Sequence, residues 1–247
     1  MQDLFVKKII LEREKIEDMQ KYPFTIPLVK DFREIEFHTN VTFFIGENGV
    51  GKSTFMEAIA VALQLNPEGG TQNFVFHTRD THSSLSRYLT LQKSGLLPTT
   101  KYFLRAESFY NVASEIINNS ETSECGPLYG SYGGNLHECS HGESFIKLVQ
   151  NRFTEKGLYI LDEPESALSP SRQMSLLCMI DSLAKNGSQF IIATHSPILI
   201  SYREGEILDL NQNFKKVEYK ETDIYAIYKL FLENDVKMQE YLFDKEE

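Results

Sequence analysis

The sequence predicts an α/β fold, a mostly parallel sheet flanked by helices, and three observations predict it. The runs Val41–Ile45 (VTFFI), 157–161 (GLYIL) and Gln189–Ala193 (QFIIA) are nearly continuous in apolar residues, as strands buried on both faces are. Segments of helical periodicity separate them. Strands alternating with helices imply parallel pairing with helices covering the sheet.

In chain order, residues 4–11, 25–29 and 35–37 read as short β-rich runs, and Val41–Ile45 as the first buried strand. From 53 to 65 the period becomes helical, with Phe55, Ile59, Ala62 and Leu63 on one side, and NPEGG at 66–70 stops it. Lys101–Arg105 reads as a strand and 109–117 as a helix. Residues 118–142 are rich in Gly, Ser and Asn, and a long irregular stretch in a compact domain is usually functional or mobile. Helix returns at 144–153 and 170–184, with the buried strands 157–161 and 189–193 following each. Glu206–Asp209 and 216–219 suit an antiparallel edge hairpin, and 222–243 is mostly helical. The expected organisation is one domain over 1–247, with 66–156 as a helical insertion.

Composition narrows the function. The 247 residues carry 25 Lys and Arg against 35 Asp and Glu, a net charge of −10. That balance argues against a broad electrostatic footprint for nucleic acid or anionic membrane, leaving room only for a local basic groove. No run approaches the roughly 20 apolar residues that span a bilayer, and the start has no secretory pattern. Three cysteines (Cys125, Cys139, Cys178), with no CxxC pair, suit a reducing cytosol. A cytoplasmic protein without intrinsic membrane insertion is the expectation.

Residues 46–54 read GENGVGKST and satisfy G-x-x-x-x-G-K-[ST]. A buried strand delivers this loop and an amphipathic helix leaves it, the context that a phosphate cradle needs. Gly46, Gly49 and Gly51 let the backbone curl through Glu47, Asn48 and Val50 so that N–H groups point at phosphate oxygens. The helix opening at Lys52, Ser53 and Thr54 adds its positive N-terminal end. Lys52 is expected to reach the β- and γ-phosphates of ATP, and the Ser53 hydroxyl to ligate Mg²⁺.

Residues 158–163 (LYILDE) form an apolar strand ending in adjacent carboxylates, with Pro164 ending the strand. Asp162 is then a second Mg²⁺ holder and Glu163 the general base that polarises the attacking water. His195 follows the third buried strand in ATHSP, at the carboxyl edge of a parallel sheet where ligands bind. Its expected role is hydrogen bonding to the γ-phosphate or orienting the water. A zinc site built from Cys125, His137, Cys139 and His141 is a weaker alternative, because no paired ligand spacing is present.

Together these motifs resemble the ATP-binding-cassette ATPases, including their relatives in chromosome maintenance and DNA repair. GENGVGKST, SHGES at 140–144, LYILDE, SALSP at 166–170 and ATHSP occur in the family's order. Ser140 lies 22 residues before Asp162, and His195 32 residues after Glu163, spacings that also fit. The resemblance implies a P-loop NTPase of nucleotide-binding-domain architecture that hydrolyses ATP with Mg²⁺. SHGES stands at the signature loop, so Ser140, Gly142 and Glu143 are expected to contact ATP held by a second protomer in an ATP-dependent homodimer. His141 and Glu143 depart from the usual Gly and Gln, and Ser169 replaces the Asp of the dimer-facing loop. The glutamine lid falls to Gln72, Gln92 or Glu107, and the adenine-stacking aromatic to Tyr22 or Phe24. No heptads separate Lys52 from Ser140, so the cassette is compact and looks closest to small soluble ATPases of the repair branch. A transporter ATPase subunit, or a nucleotide-dependent binding module with little turnover in repair or defence, is the alternative, with an unidentified protein partner in either case.

Overall fold

The computed structural model describes residues 4–67, 69–70, 83–106 and 141–243. Its elements are β1 (Val6–Leu11), α1 (Pro27–Asp31), β2 (Glu34–Glu36), β3 (Val41–Ile45), α2 (Lys52–Ala62), β4 (Leu89–Lys93), β5 (Lys101–Arg105), α3 (His141–Arg152), β6 (Leu158–Asp162), α4 (Pro170–Lys185), β7 (Gln189–Ala193), β8 (Glu206–Asp209), β9 (Lys215–Val217), α5 (Asp223–Glu233) and α6 (Asp235–Phe243). The larger sheet has six strands in the order β5–β6–β7–β3–β8–β9. It is parallel from β5 to β8, and β9 closes its edge antiparallel, as the 206–219 hairpin pattern implied. A separate antiparallel sheet has the order β2–β1–β4.

The parallel strands β3, β6 and β7 are buried at every residue, which is why their sequences lack polar alternation. Successive side chains still point to opposite faces. Phe44, Phe103, Ile160 and Ile191 join α2 and the antiparallel sheet in one core. Phe43, Tyr102, Tyr159, Phe190 and Ile192 join α3 and α4 in the other. The strand sequence thus glues two different layers with one alternating run.

Two expectations change. Residues 25–29 do not form a strand: Pro27 opens α1, with Leu28 and Val29 buried behind it. Proline at a first helical position loses no hydrogen bond and brings a helical φ, whereas a short apolar run by itself does not distinguish strand from helix. Within 66–156 the strand at Lys101–Arg105 is found as expected, as β5 at the edge of the parallel sheet, whereas β4, paired with β1, was not expected. In β4 only Leu89 is buried, with Leu91 half-buried, so its apolar signal is brief. The helix expected at 109–117 and the irregular stretch up to 140 lie outside the described residues. α5 and α6 bury none of their residues, and among the described residues no helix is long and apolar enough to cross a membrane.

Gln189 joins the two sheets. It is 1% exposed; its Oε1 accepts the N–H groups of Phe5 and Val6 at 2.9 Å each, and its Nε2 donates to Val6 O at 2.8 Å. These bonds satisfy buried backbone groups at the start of β1. Replacing Gln189 by leucine keeps the volume but strands two amide donors and a carbonyl. The expected loss is about 2–3 kcal/mol of unfolding free energy, read as a lower urea midpoint with unchanged slope.

Candidate active site

β7 lies between β6 and β3, so the loops leaving all three emerge at one edge. The register places Arg105, Asp162, Ala193 and Phe44 in one row across four strands. Beyond that row the chain turns into the loop 46–51 after β3, into Glu163 after β6 and into His195 after β7. The ladder continues one step further, with Glu163 N donating to Ala193 O at 2.9 Å and Thr194 N to Phe44 O at 3.1 Å. The site is therefore anchored by backbone bonds before any side chain contributes.

The glycine loop curls as its sequence requires. Gly49 and Gly51 have φ of +83° and +109°, in the region side chains avoid. A Cβ on Gly51 would also stand 2.3 Å from Ile26 Cγ2, so this position excludes any larger residue twice over. Lys52 is 4% exposed, and its Nζ donates to Gly46 O at 2.8 Å and Glu47 O at 3.0 Å. Burial pushes its pKa down, opposed by the carboxylates of Glu163, Asp162 and Glu165. Asn211 Oδ1 accepts from Glu47 N at 3.2 Å and props the loop from β8's side.

A cleft of about 350 Å³ opens along the loop, lined by Tyr22, Ile26, Asn48, Gly49, Gly51, Lys52, Ser53, Thr54 and Glu163. Ser53 Oγ donates to Asp162 Oδ1 at 3.4 Å. A hydroxyl beside a carboxylate is a set of hard oxygen donors that fits Mg²⁺. Asp162 is 3% exposed, and Arg105 Nε stands 3.6 Å from its Oδ2 while Arg105 Nη1 lies 3.4 Å from Glu57 Oε2. The sequence marks Arg105 only as a strand end; a lone arginine there carries no signal of a site, and the β5–β6 register brings it to Asp162.

Glu163 takes φ 49° and ψ 51°, a left-handed conformation uncommon for a residue with a side chain. The turn brings its Oε1 to 3.8 Å from His195 Nε2. That nitrogen is buried and lacks a hydrogen-bond partner among the described residues. Burial lowers the pKa of His195 and the charge of Lys52 lowers it further, against the raising effects of Glu163 and Glu165. The ring is accordingly neutral at pH 7, able to donate from one nitrogen and accept at the other.

The structure gathers Gly46 to Thr54, Asp162, Glu163 and His195 at one edge. Gly142 and Glu143 do not line the cleft. Both sit in the first turn of α3 against α4, where Glu143 Oε1 accepts from Arg172 Nη2 at 2.9 Å. A Cβ on Gly142 would meet Arg172 Nη1 at 2.7 Å and Ala167 O at 3.0 Å. Of the two aromatics, Tyr22 is 62% exposed at the cleft, whereas Phe24 is buried edge-on to Tyr88. Gln92 stands exposed on β4, away from the cleft. Ser140, Gln72 and Glu107 lie outside the described residues, as do Cys125, His137 and Cys139 of the zinc alternative, and the side chain of His141 is likewise not described. Among the described residues no group of His, Cys, Asp and Glu is arranged to hold a metal ion by itself.

A family model described as "AAA domain" matches residues 15–157, more than half of the chain, and a second AAA-domain model matches 148–201. The chain is 26% identical over 192 residues to an uncharacterized ABC transporter ATP-binding protein of Haemophilus influenzae, covering 69% of each. It is 27% identical over 174 residues to ABC transporter G family member 21 of Arabidopsis thaliana, covering 64% of this chain but only 26% of that protein. Among solved structures, cbiO1 of Clostridium perfringens, part of the ABC transporter complex cbiONQ, is 14% identical with a TM-score of 0.46, covering 98% of this chain and 100% of that one.

In the nucleotide-free protein the imidazole of His195 is expected to titrate below the ordinary 6.5, so its neutral form persists as pH falls through that value. Lys52→Met removes one depressing charge, and the titration should move back up. Ring ¹H–¹³C shifts followed from pH 8 to pH 4 measure both; a wild-type midpoint above 6.5 contradicts the assignment of causes.

Proposed function

The chain belongs to the AAA-domain family as an ATPase of the ATP-binding-cassette type, and on that footing we propose that it works as a two-protomer switch driven by ATP. The observation that carries the reading is the shared edge, where the glycine loop, Lys52, Ser53 and Glu163 line one cleft, with Asp162 bonded to Ser53 and His195 Nε2 3.8 Å from Glu163 Oε1.

On this reading the N–H groups from Gly46 through Thr54 receive the phosphate oxygens at the positive end of α2. Lys52 leaves the carbonyls of Gly46 and Glu47 for the β- and γ-phosphates. The exchange is favourable because a phosphate oxyanion attracts an ammonium more strongly than a carbonyl does. Ser53 and Asp162 would hold Mg²⁺, which when bound neutralises charge on the β- and γ-oxygens. Glu163 takes a proton from water as the water oxygen bonds to the γ-phosphorus. The bond from that phosphorus to the β,γ-bridging oxygen breaks, and ADP departs with its electrons. His195, neutral and without a partner at Nε2 among the described residues, hydrogen-bonds to the γ-phosphate or to the water. Tyr22, exposed at the cleft beside Ile26, stacks on adenine; buried Phe24 does not.

Ser140, Gly142 and Glu143 serve the other half of the switch. Gly142 and Glu143 do not line the protomer's own cleft, as a loop acting on the partner's nucleotide requires. The γ-phosphate bridges two protomers while ADP touches one, so hydrolysis separates them. The whole of 1–247 acts as one ATPase domain in the cytoplasm, with 66–156 carrying the signature.

Lys52→Ala should abolish ATP binding measured by calorimetry. Glu163→Gln should still bind ATP but release phosphate at least about tenfold more slowly. The same variant with ATP should sediment at twice the protomer mass; a species that stays monomeric overturns the switch. Tyr22→Ala should weaken ATP binding by about tenfold, the worth of one stacked base, with phosphate release per bound ATP unchanged.

A further inference from the structure

The single-turn helix Pro164–Ala167 follows Glu163 directly, and Glu165 within it has no role in the chemistry above. Its Oε1 accepts the backbone N–H of His195 at 2.5 Å, a bond that joins the loop after β6 to the loop after β7. Its other oxygen, Oε2, is buried with no hydrogen-bond partner among the described residues. An unsatisfied carboxylate oxygen costs stability, so packing alone does not account for a glutamate here. We propose that Glu165 is a positioning residue that locks His195 against Glu163 through the His195 main chain.

The surrounding bonds show why the lock falls to this residue. Ser196, next in the loop, is tied elsewhere: its N–H donates to Thr194 Oγ1 at 3.0 Å and its Oγ to Gln173 Oε1 at 2.6 Å on α4. Ser196 Oγ also accepts from Ile198 N and Leu199 N. These bonds hold the far side of the turn to α4 and to the loop itself, leaving the His195 N–H as the link to the hydrolytic segment. On that segment Ser166 Oγ donates to Glu163 O at 2.9 Å, so the backbone that aims Glu163 also carries Glu165. A carboxylate accepting a main-chain N–H makes a strong, directional bond. It sets the peptide plane from which the His195 ring projects, and with it the 3.8 Å between His195 Nε2 and Glu163 Oε1. The bond is partly buried, which limits competition from water. The negative charge of Glu165 also acts on Lys52 and on His195, raising both pKa values against burial.

The proposal rests on the ATPase reading for its consequence, whereas the bond itself is testable without it. The test compares Glu165→Ala with Glu165→Gln, since glutamine keeps an Oε1 acceptor. Glu165→Ala should lower kcat about 10- to 100-fold, the effect of a small displacement of a reacting group, while KM for ATP stays within about twofold. Glu165→Gln should recover most of the lost kcat. By ¹⁵N NMR the His195 amide proton should resonate far downfield in the wild type and in Glu165→Gln, and move upfield in Glu165→Ala. An unaltered kcat in Glu165→Ala, a KM that rises in step with the fall in kcat, or a glutamine variant no better than alanine overturns the positioning role. Wild-type protein that releases no phosphate defeats the ATPase reading alone; the amide shift then still decides whether Glu165 holds His195.

Discussion

A single row of the parallel ladder underlies the whole site. Arg105, Asp162, Ala193 and Phe44 stand abreast on β5, β6, β7 and β3, and the glycine loop, Glu163 and His195 follow just beyond that row. Parallel pairing makes this unavoidable, because strands that run the same way release their loops at the same edge. The burial of β3, β6 and β7 on both faces then holds the edge rigid, so that loop residues inherit their separations from backbone hydrogen bonds. A one-residue slip of β6 would turn Asp162 away from Ser53 and exchange the two cores as well.

Charge inside this frame is balanced by neighbouring groups. Lys52 is buried, yet its ammonium rests on two carbonyls of its own loop and in the field of Glu163, Asp162 and Glu165. Burial works against the three carboxylates, and the first outweighs them, so the lysine's pKa is lowered. Asp162 is shared between Ser53 and Arg105, which keeps a buried carboxylate paired while leaving its Ser53 side facing the cleft. Burial, and after it the charge of Lys52, lower the pKa of His195 against the raising effects of Glu163 and Glu165.

Much of this was legible one strand at a time. The apolar runs of β3, β6 and β7, the glycines at 49 and 51 and the paired acids at 162 and 163 each announce themselves locally, because burial, backbone curl and strand end are short-range constraints. The run 25–29 misled because two buried residues in succession suit both a strand and one helical turn, and Pro27 selected the turn. Glu165 and Arg105 had no local mark. Each is an ordinary charged residue whose partner lies on a neighbouring strand or loop, 30 residues away for Glu165 and His195.

What the amino-acid order determined by itself is the chemistry available: a curled run of amides, an ammonium, a hydroxyl beside a carboxylate, a base and an imidazole, each tied to its own strand end. What only the tertiary structure decided is their company. Sheet order inserted β7 between β3 and β6, and that placement set His195 against Glu163; the packing of the chain also puts Tyr22 rather than Phe24 at the cleft, with Gly142 and Glu143 not among the residues that line it. The reason is physical: side-chain type is a property of one residue, whereas distance across a sheet is a property of register, and register is settled by the burial of all the strands together.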